Sequence, residues 1–588
     1  MVRSLWVRGR YWVAAAGFAV GCGQSKSLSG FGATGDDGGE SDAGLAEGGN
    51  GGDDGGGGQF GGSSGIAPTG PVTDFPSPVL DGSAPTNSGS LFGAAGSGAA
   101  SGGPCLVEPE VNVLYPQNWL APRFRWTAAG AQNLFELRLH VANQTSDLVV
   151  YSTNTSWTMP VDTWNALRLH SAGQAMTITV RGGNLEGSSL QGIAVGSQAP
   201  MGVAPVAATG AIVYWTTNDA TTGGSVLKGF SPGDSTVGTV LMPTQFATAQ
   251  QTGSTCIGCH ASSPDGEFAA FTYTNSAAQQ WQGGIALIDN EAGTVGAAPS
   301  FMNAAGTTSL ERYNAGGLAF SPAHWAPGDR TTISSFDNSG NAQNIGLTWV
   351  NLDATTLATT TGTIARTGDS QLAGAPSWSH DGNTVAYVST NRVCTGRLGN
   401  CNGTAFDQPP DPGSTADIYT VPYAGGQGGQ ATPLPGASDE SNQEYYPAYS
   451  ADDKLIAFNR IGPNLNLYAQ PAAEVFVIAS AGGTATRLAA NDPPACTGIT
   501  SPGINNVWPK WGPAALSAGG DTYYFLIFSS LRYDKHTDQL FITAVVRHAD
   551  GTMVTNYGAI YLWNQPPTEN NHTPAWDKFK VPALPMVQ

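Results

Sequence analysis

The stretch Trp378-Ser-His-Asp-Gly-Asn-Thr-Val-Ala-Tyr-Val-Ser389 decides the fold. An aromatic residue leads into an Asp-Gly turn, and a run with apolar residues suited to a strand follows. Asp-Gly supplies the positive φ that a two-residue hairpin needs, and the aromatic side chain suits packing between neighbouring sheets. The same order returns in SSPDGEFAAF from Ser262 and YSADDKLIAFNR from Tyr449. Looser copies are FSPAHWAPGDRTTISSF from Phe320 and WGPAALSAGGDTYYFLIFSS from Trp511. Copies recur about every 60 residues, a spacing within the range of propeller blades. GAIVYWTT from Gly210 reads as the opening of an earlier unit.

These runs resemble the WD40-like repeats of TolB-type β-propellers. The resemblance implies an all-β chain with a propeller over residues 208–588, of six blades, with a seventh allowed. It implies no activity, because propellers host enzymes, binders and scaffolds alike.

Working outward, residues 105–205 show short alternating strands separated by Asn, Gly and Ser turns. Phe124 and Trp126 share one strand face; Phe135, Leu137, Leu139 and Val141 share another. RFRW followed by FELRLHV resembles fibronectin type III or related immunoglobulin-like modules, which implies a β-sandwich of about 100 residues. A spacer or adhesion role is the expectation for it.

Residues 23–104 collapse to Gly, Ser, Asp and Ala, including GGNGGDDGGGG from Gly48, and read as a disordered tether. Gly61-Gly-Ser-Ser-Gly65 fits a nucleophile pattern but lacks the strand and helix that would frame it. Residues 1–22 read as an export signal, with Arg3, Arg8 and Arg10 before the apolar run Tyr11 to Gly21. Its end, Ala19-Val-Gly-Cys22, resembles a bacterial lipobox, which implies acylation at Cys22 and a lipid-anchored protein. Gly23 follows where an inner-membrane retention Asp could have stood, which favours the outer membrane by the same resemblance.

Charge narrows the partners. The net charge is −19; the leader contributes +3, the tether −8 and the remainder −14. So acidic a body repels phosphate backbones, so no nucleic-acid partner is expected. Hydrophobic residues make up 40% and charged residues 11%, more in keeping with an exported β-rich protein than with a cytosolic α/β enzyme.

One motif carries chemistry. Cys256-Ile-Gly-Cys259-His260 has the spacing at which two thiols form thioethers with one haem and the next histidine ligates its iron. A thioredoxin-like reading wants a helix after the first cysteine, whereas a turn and a strand follow here. A zinc site wants a second ligand pair, which the spacing lacks. The expected cofactor is therefore one covalent haem c held by Cys256, Cys259 and His260, lying in an inter-blade loop. Such an embedded motif before an SPDG repeat resembles certain propeller lipoproteins.

The remaining choices follow from this. Cys394 and Cys401 bracket a short loop and suit a local disulfide; Cys105 and Cys496 either join across modules or stay reduced. Candidates for the sixth iron ligand are His324, His380, His536, His548, His572, Met242 and Met302. His572 is chosen, with Met242 second, because closing a propeller returns the C-terminal end to the first blade. Single-electron transfer with a redox or envelope protein partner is the leading function. A surface binding or scaffold protein with a structural or sensory haem is the alternative, and a haem peroxidase the third. No catalytic residue can be assigned from spacing.

Overall fold

The computed structural model describes residues 70–581, apart from 223, 247–255, 276–279, 290–293, 303, 311–316, 337–345, 354–360, 392–412 and 552. The export signal, Cys22, Cys394 and Cys401 therefore lie outside the described residues.

The repeats fold for the reason their sequences give. In three copies a serine hydroxyl bonds the Asp two positions on and caps the backbone N–H five positions on. The sets are Ser263/Asp265/Phe268, Ser379/Asp381/Thr384 and Ser450/Asp452/Leu455. Gly266 and Gly382 take the left-handed backbone at φ +80° and +76°; in the third copy Asp453 takes it at +57°. The loose copies turn differently. Ala326 pairs Asp329 around Pro327-Gly328, and Ala518 pairs Asp521 around Gly519-Gly520.

Each repeat supplies a small antiparallel sheet, and the fold is β-propeller-like. Six such sheets stand side by side among the described residues. Their leading strands are Asn571–Asp577, Ile257–Ser262, Ala319–Ala326, Leu372–Trp378, Gln443–Tyr449 and Val507–Trp511. Each touches the next in that order, and Val507–Trp511 touches Asn571–Asp577 to close the circuit. The first sheet is composite: Asn571–Asp577 pairs antiparallel with Ala211–Thr216, setting His572 opposite Trp215. His572 is thus inside a strand, next to an irregularity where the pairing slips between Val213 and Trp215. GAIVYWTT takes the second place in its sheet and the C-terminal strand the first.

A buried ion triad locks this seam. Lys228 Nζ lies 2.7 Å from Asp219 Oδ1 and 2.7 Å from Glu569 Oε2, with both carboxylates almost wholly enclosed. Glu569 also accepts the Ala220 N–H.

The N-terminal module holds a six-stranded sheet and a three-stranded sheet over a shared apolar core. In Arg123–Thr127, Phe124 and Trp126 point into that core while the arginines alternate outward. The module begins earlier than position 105. Val79–Asp81 pairs parallel with Leu148–Ser152, and Phe92 is buried and stacked on Tyr151. The end of the expected tether is therefore folded, because Phe75 and Phe92 interrupt the Gly/Ser composition with side chains that the module buries. A helix, Val161–His170, was not foreseen either; Trp164 and Leu167 bury one of its faces, and Trp164 donates to Trp119 O at 2.7 Å.

The modules are joined. Cys105 and Cys496 form a disulfide between them. Trp119 of the first packs on Phe230 and Trp576 of the second. Arg532 reaches across to both oxygens of Glu110 at 2.9 Å. No described helix is long and apolar enough to cross a membrane.

Candidate functional site

A cavity of about 140 Å³ lies where the six leading strands converge, and each strand contributes a residue to it: His260, Phe320, Trp378, Tyr449, Lys510 and Asp577. The CxxCH segment therefore stands at the axis of the ring. Ile257–Ser262 is the leading strand of its sheet, paired with Phe268–Asn275, and the pairing slips between Ile257 and His260. The sequence expectation of an inter-blade loop is corrected by this placement. The segment enters the sheet because Cys256 and Ile257 are apolar enough to join the core formed by Trp215, Phe246, Phe271 and Tyr273.

His260 is buried. Its Nε2–H donates to Val213 O at 2.9 Å, which fixes the tautomer, since a carbonyl only accepts. Its Nδ1 faces the Gly258 backbone without a well-formed hydrogen bond. Burial pushes the imidazole pKa down to about 4, partly offset by the Val213 and Gly258 backbone and reinforced by the Lys510 charge.

His572 sits beside it. Its ring lies edge-on to Trp215 at 4.5 Å and stacks on Trp508 at 5.2 Å. Burial, with the nearby His260, holds its pKa down to about 3. Closure of the ring pairs the His572 strand with Ala211–Thr216, and His260 is near enough to lower the His572 pKa.

The two cysteines diverge. Cys256 is buried in the apolar core and disulfide-bonded. Cys259 is half-buried beside Gly317, and Lys510 stands exposed at the cavity wall. Asp577, across the channel, has its pKa raised by burial against the pull of its Lys578 hydrogen bond and of nearby cations.

The donor types are those of a c-type haem; their placement is not. A thioether consumes a thiol, and Cys256 has none to offer while in a disulfide. Nε2 of His260 is engaged by Val213. The axial cavity of about 140 Å³ is below the roughly 300–1,000 Å³ typical of small-molecule and cofactor pockets. No cluster of three or more metal-ligating side chains occurs among the described residues.

The other ligand candidates have local duties. His380 is a turn residue bonded to Asp453 at 2.8 Å, as its position in the repeat implies. His324 stacks on Trp378 and pairs with Asp329 at 2.8 Å. His548 bonds Asp521, and His536 is exposed. Met302 packs with Phe268 and Leu310; Met242 bonds Gln245 through its backbone. Lys510 and Asp577 were missed at the sequence level, since only the ring places them opposite His260.

No family model and no curated protein matches the chain. Solved structures do. One belongs to a study of two prolyl endopeptidases, with 16% identity, TM-score 0.30, and coverage of 59% of this chain and 40% of that one. Kuenenia stuttgartiensis hydrazine synthase gives 12%, 0.36, 64% and 47%. A quinoprotein alcohol dehydrogenase-like protein from Bacteroides thetaiotaomicron gives 8%, 0.27, 81% and 99%. The chain thus spans less than half the length of the first two. At these identities and scores the likeness carries no argument about activity.

Proposed function

We propose that this chain is an envelope lipoprotein, anchored through Cys22 at the outer membrane, whose Cys256–His260 segment receives one covalent c-type haem for single-electron transfer to a protein partner. The five-residue motif carries the reading. Haem would supply a one-electron couple; the chain supplies the rest. His260 and His572 influence one another electrostatically, and burial lowers both pKa values, which favours the neutral imidazole an iron ligand requires. Loading requires that the Cys256 disulfide be reduced and that His260 leave Val213. The acidic surface disfavours nucleic acid, and the partner remains a redox or envelope protein of complementary charge. The propeller is read as six-bladed and TolB-like, and the first module as a fibronectin III-like sandwich.

The Cys256 disulfide favours a second reading: a surface binding or scaffold propeller in which Cys256 is structural. One experiment separates them. Protein made in the periplasm with a working haem-ligation system is run on a haem-stained denaturing gel and measured as pyridine haemochrome. One stained band, lost in Cys256→Ala/Cys259→Ala, supports the first reading. An unstained wild type removes it and leaves the scaffold. A His572→Ala protein whose oxidised near-infrared spectrum matches wild type removes His572 as the second ligand.

A further inference from the structure

A second cavity, of about 440 Å³, lies between the sandwich and the propeller, beside the Cys105–Cys496 disulfide. Its size falls in the range of small-molecule pockets. Three arginines and two glutamates stand in or beside it, and their pairing is uneven. Arg123 takes Glu108 through Nε at 3.2 Å and Nη2 at 2.7 Å. Arg532 takes both oxygens of Glu110 at 2.9 Å. Arg125 is held more loosely. It shares Glu108 as an ion pair, with its Nε 3.6 Å from Oε2, and that Nε makes no hydrogen bond. Its guanidinium rests 4.9 Å over Tyr533, itself stacked on Tyr561 at 4.7 Å.

The alternation of the strand Arg123–Thr127 places Arg125 and Thr127 on the cavity wall while Phe124 and Trp126 go to the core. A donor without an acceptor is costly until something accepts from it. The three arginines also outnumber the two glutamates by one charge, in a body that is otherwise strongly acidic. The remaining wall is largely apolar, with Val107, Ile499 and Phe541.

From this geometry we infer that the inter-module cavity binds a small organic carboxylate, its two oxygens on Arg125 and its apolar body against the Phe541 side. The planar head matches the planar guanidinium better than a tetrahedral anion would, and the apolar wall gives inorganic phosphate nothing to cover. The inference is independent of haem: it uses no residue of the channel.

The test is titration calorimetry of the full-length protein in detergent with 3-phenylpropionate, against 3-phenylpropanol and inorganic phosphate. Binding of the carboxylate, with the alcohol and phosphate weaker by about tenfold or more, is expected from the loss of one charge-assisted contact. Arg125→Ala should weaken the carboxylate by a similar factor. Thr127→Glu, at an exposed position, adds a negative charge at the wall and should do the same in a protein that folds whatever Arg125→Ala does. Equal binding of alcohol and carboxylate, binding of phosphate alone, no binding, or carboxylate binding unchanged in both variants would overturn the inference.

Discussion

Replacing Lys228 with Met should unfasten the seam where the ring closes. The substitution keeps the length of the side chain and removes its charge, leaving Asp219 and Glu569 enclosed with no cation. Breaking a buried pair by removing one partner costs about 3–5 kcal/mol. The low end would apply if water entered, but Asp219 and Glu569 are 3% and 2% exposed at their side chains, so the cost should lie within that range. The dependence on pH gives a sharper check. In the wild type, burial would raise the Asp219 pKa, yet hydrogen bonds from Lys228 and Thr222 outweigh it and hold it below the ordinary value. That contribution is present above about pH 4 and lost as pH falls through the depressed folded value. Without Lys228 burial dominates, the folded pKa rises above the unfolded one, and the variant gains stability on acidification. The deficit of Lys228→Met should therefore be full at pH 7 and smaller at pH 5. Urea denaturation followed by tryptophan fluorescence measures both. A deficit under about 1 kcal/mol at pH 7, or one equal at the two pH values, would refute the reasoning.

Burial lifts the Asp538 pKa to about 7, against a hydrogen bond from Asn505 at 2.8 Å. Its stabilising contribution is full below about pH 4 and lost as pH rises through about 7, so Asp538→Asn should gain on the order of 2–4 kcal/mol over wild type at pH 8 and nothing at pH 4, read by the same denaturation series. Removing the Cys105–Cys496 bridge as Cys105→Ala/Cys496→Ala should cost about 2–5 kcal/mol, because it ties positions 391 apart; a thermal scan without reductant should show the loss, and an unchanged transition would contradict it. Labelled palmitate should enter wild type and not Cys22→Ala.

The propeller was legible because its signal is local. The serine, Asp and positive-φ residue of each turn lie within five positions, so sequence order alone shows the hairpin. The closing strand was half legible. Closure implied that His572 returns to the first sheet, but NHTPAWD has no alternation strong enough to mark it as a strand, and its pairing with Ala211–Thr216 supplies the missing order. The start of the first module was hidden for the opposite reason: isolated apolar residues in a Gly/Ser background are invisible to composition, yet Phe75 and Phe92 pack on the residues of Leu148–Ser152 and Val79–Asp81 pairs with its edge. The CxxCH motif shows the remaining limit. Spacing gave the donor types, but the apolar character of Cys256 and Ile257 drew the segment into a sheet.

The composite first sheet also sets when this protein can exist. Thr216 and Asn571 share a hydrogen bond across 355 positions of chain. During synthesis, the inner edge of Ala211–Thr216 must wait while nearly all the propeller emerges behind it, its backbone N–H and C=O groups open to any passing strand. A chain cut short by a dozen residues before Asp577 would lose little mass and still lack the piece that ends that exposure. Closure of the ring is therefore a late event in folding, set by the arrival of Asn571–Asp577 beside Ala211–Thr216.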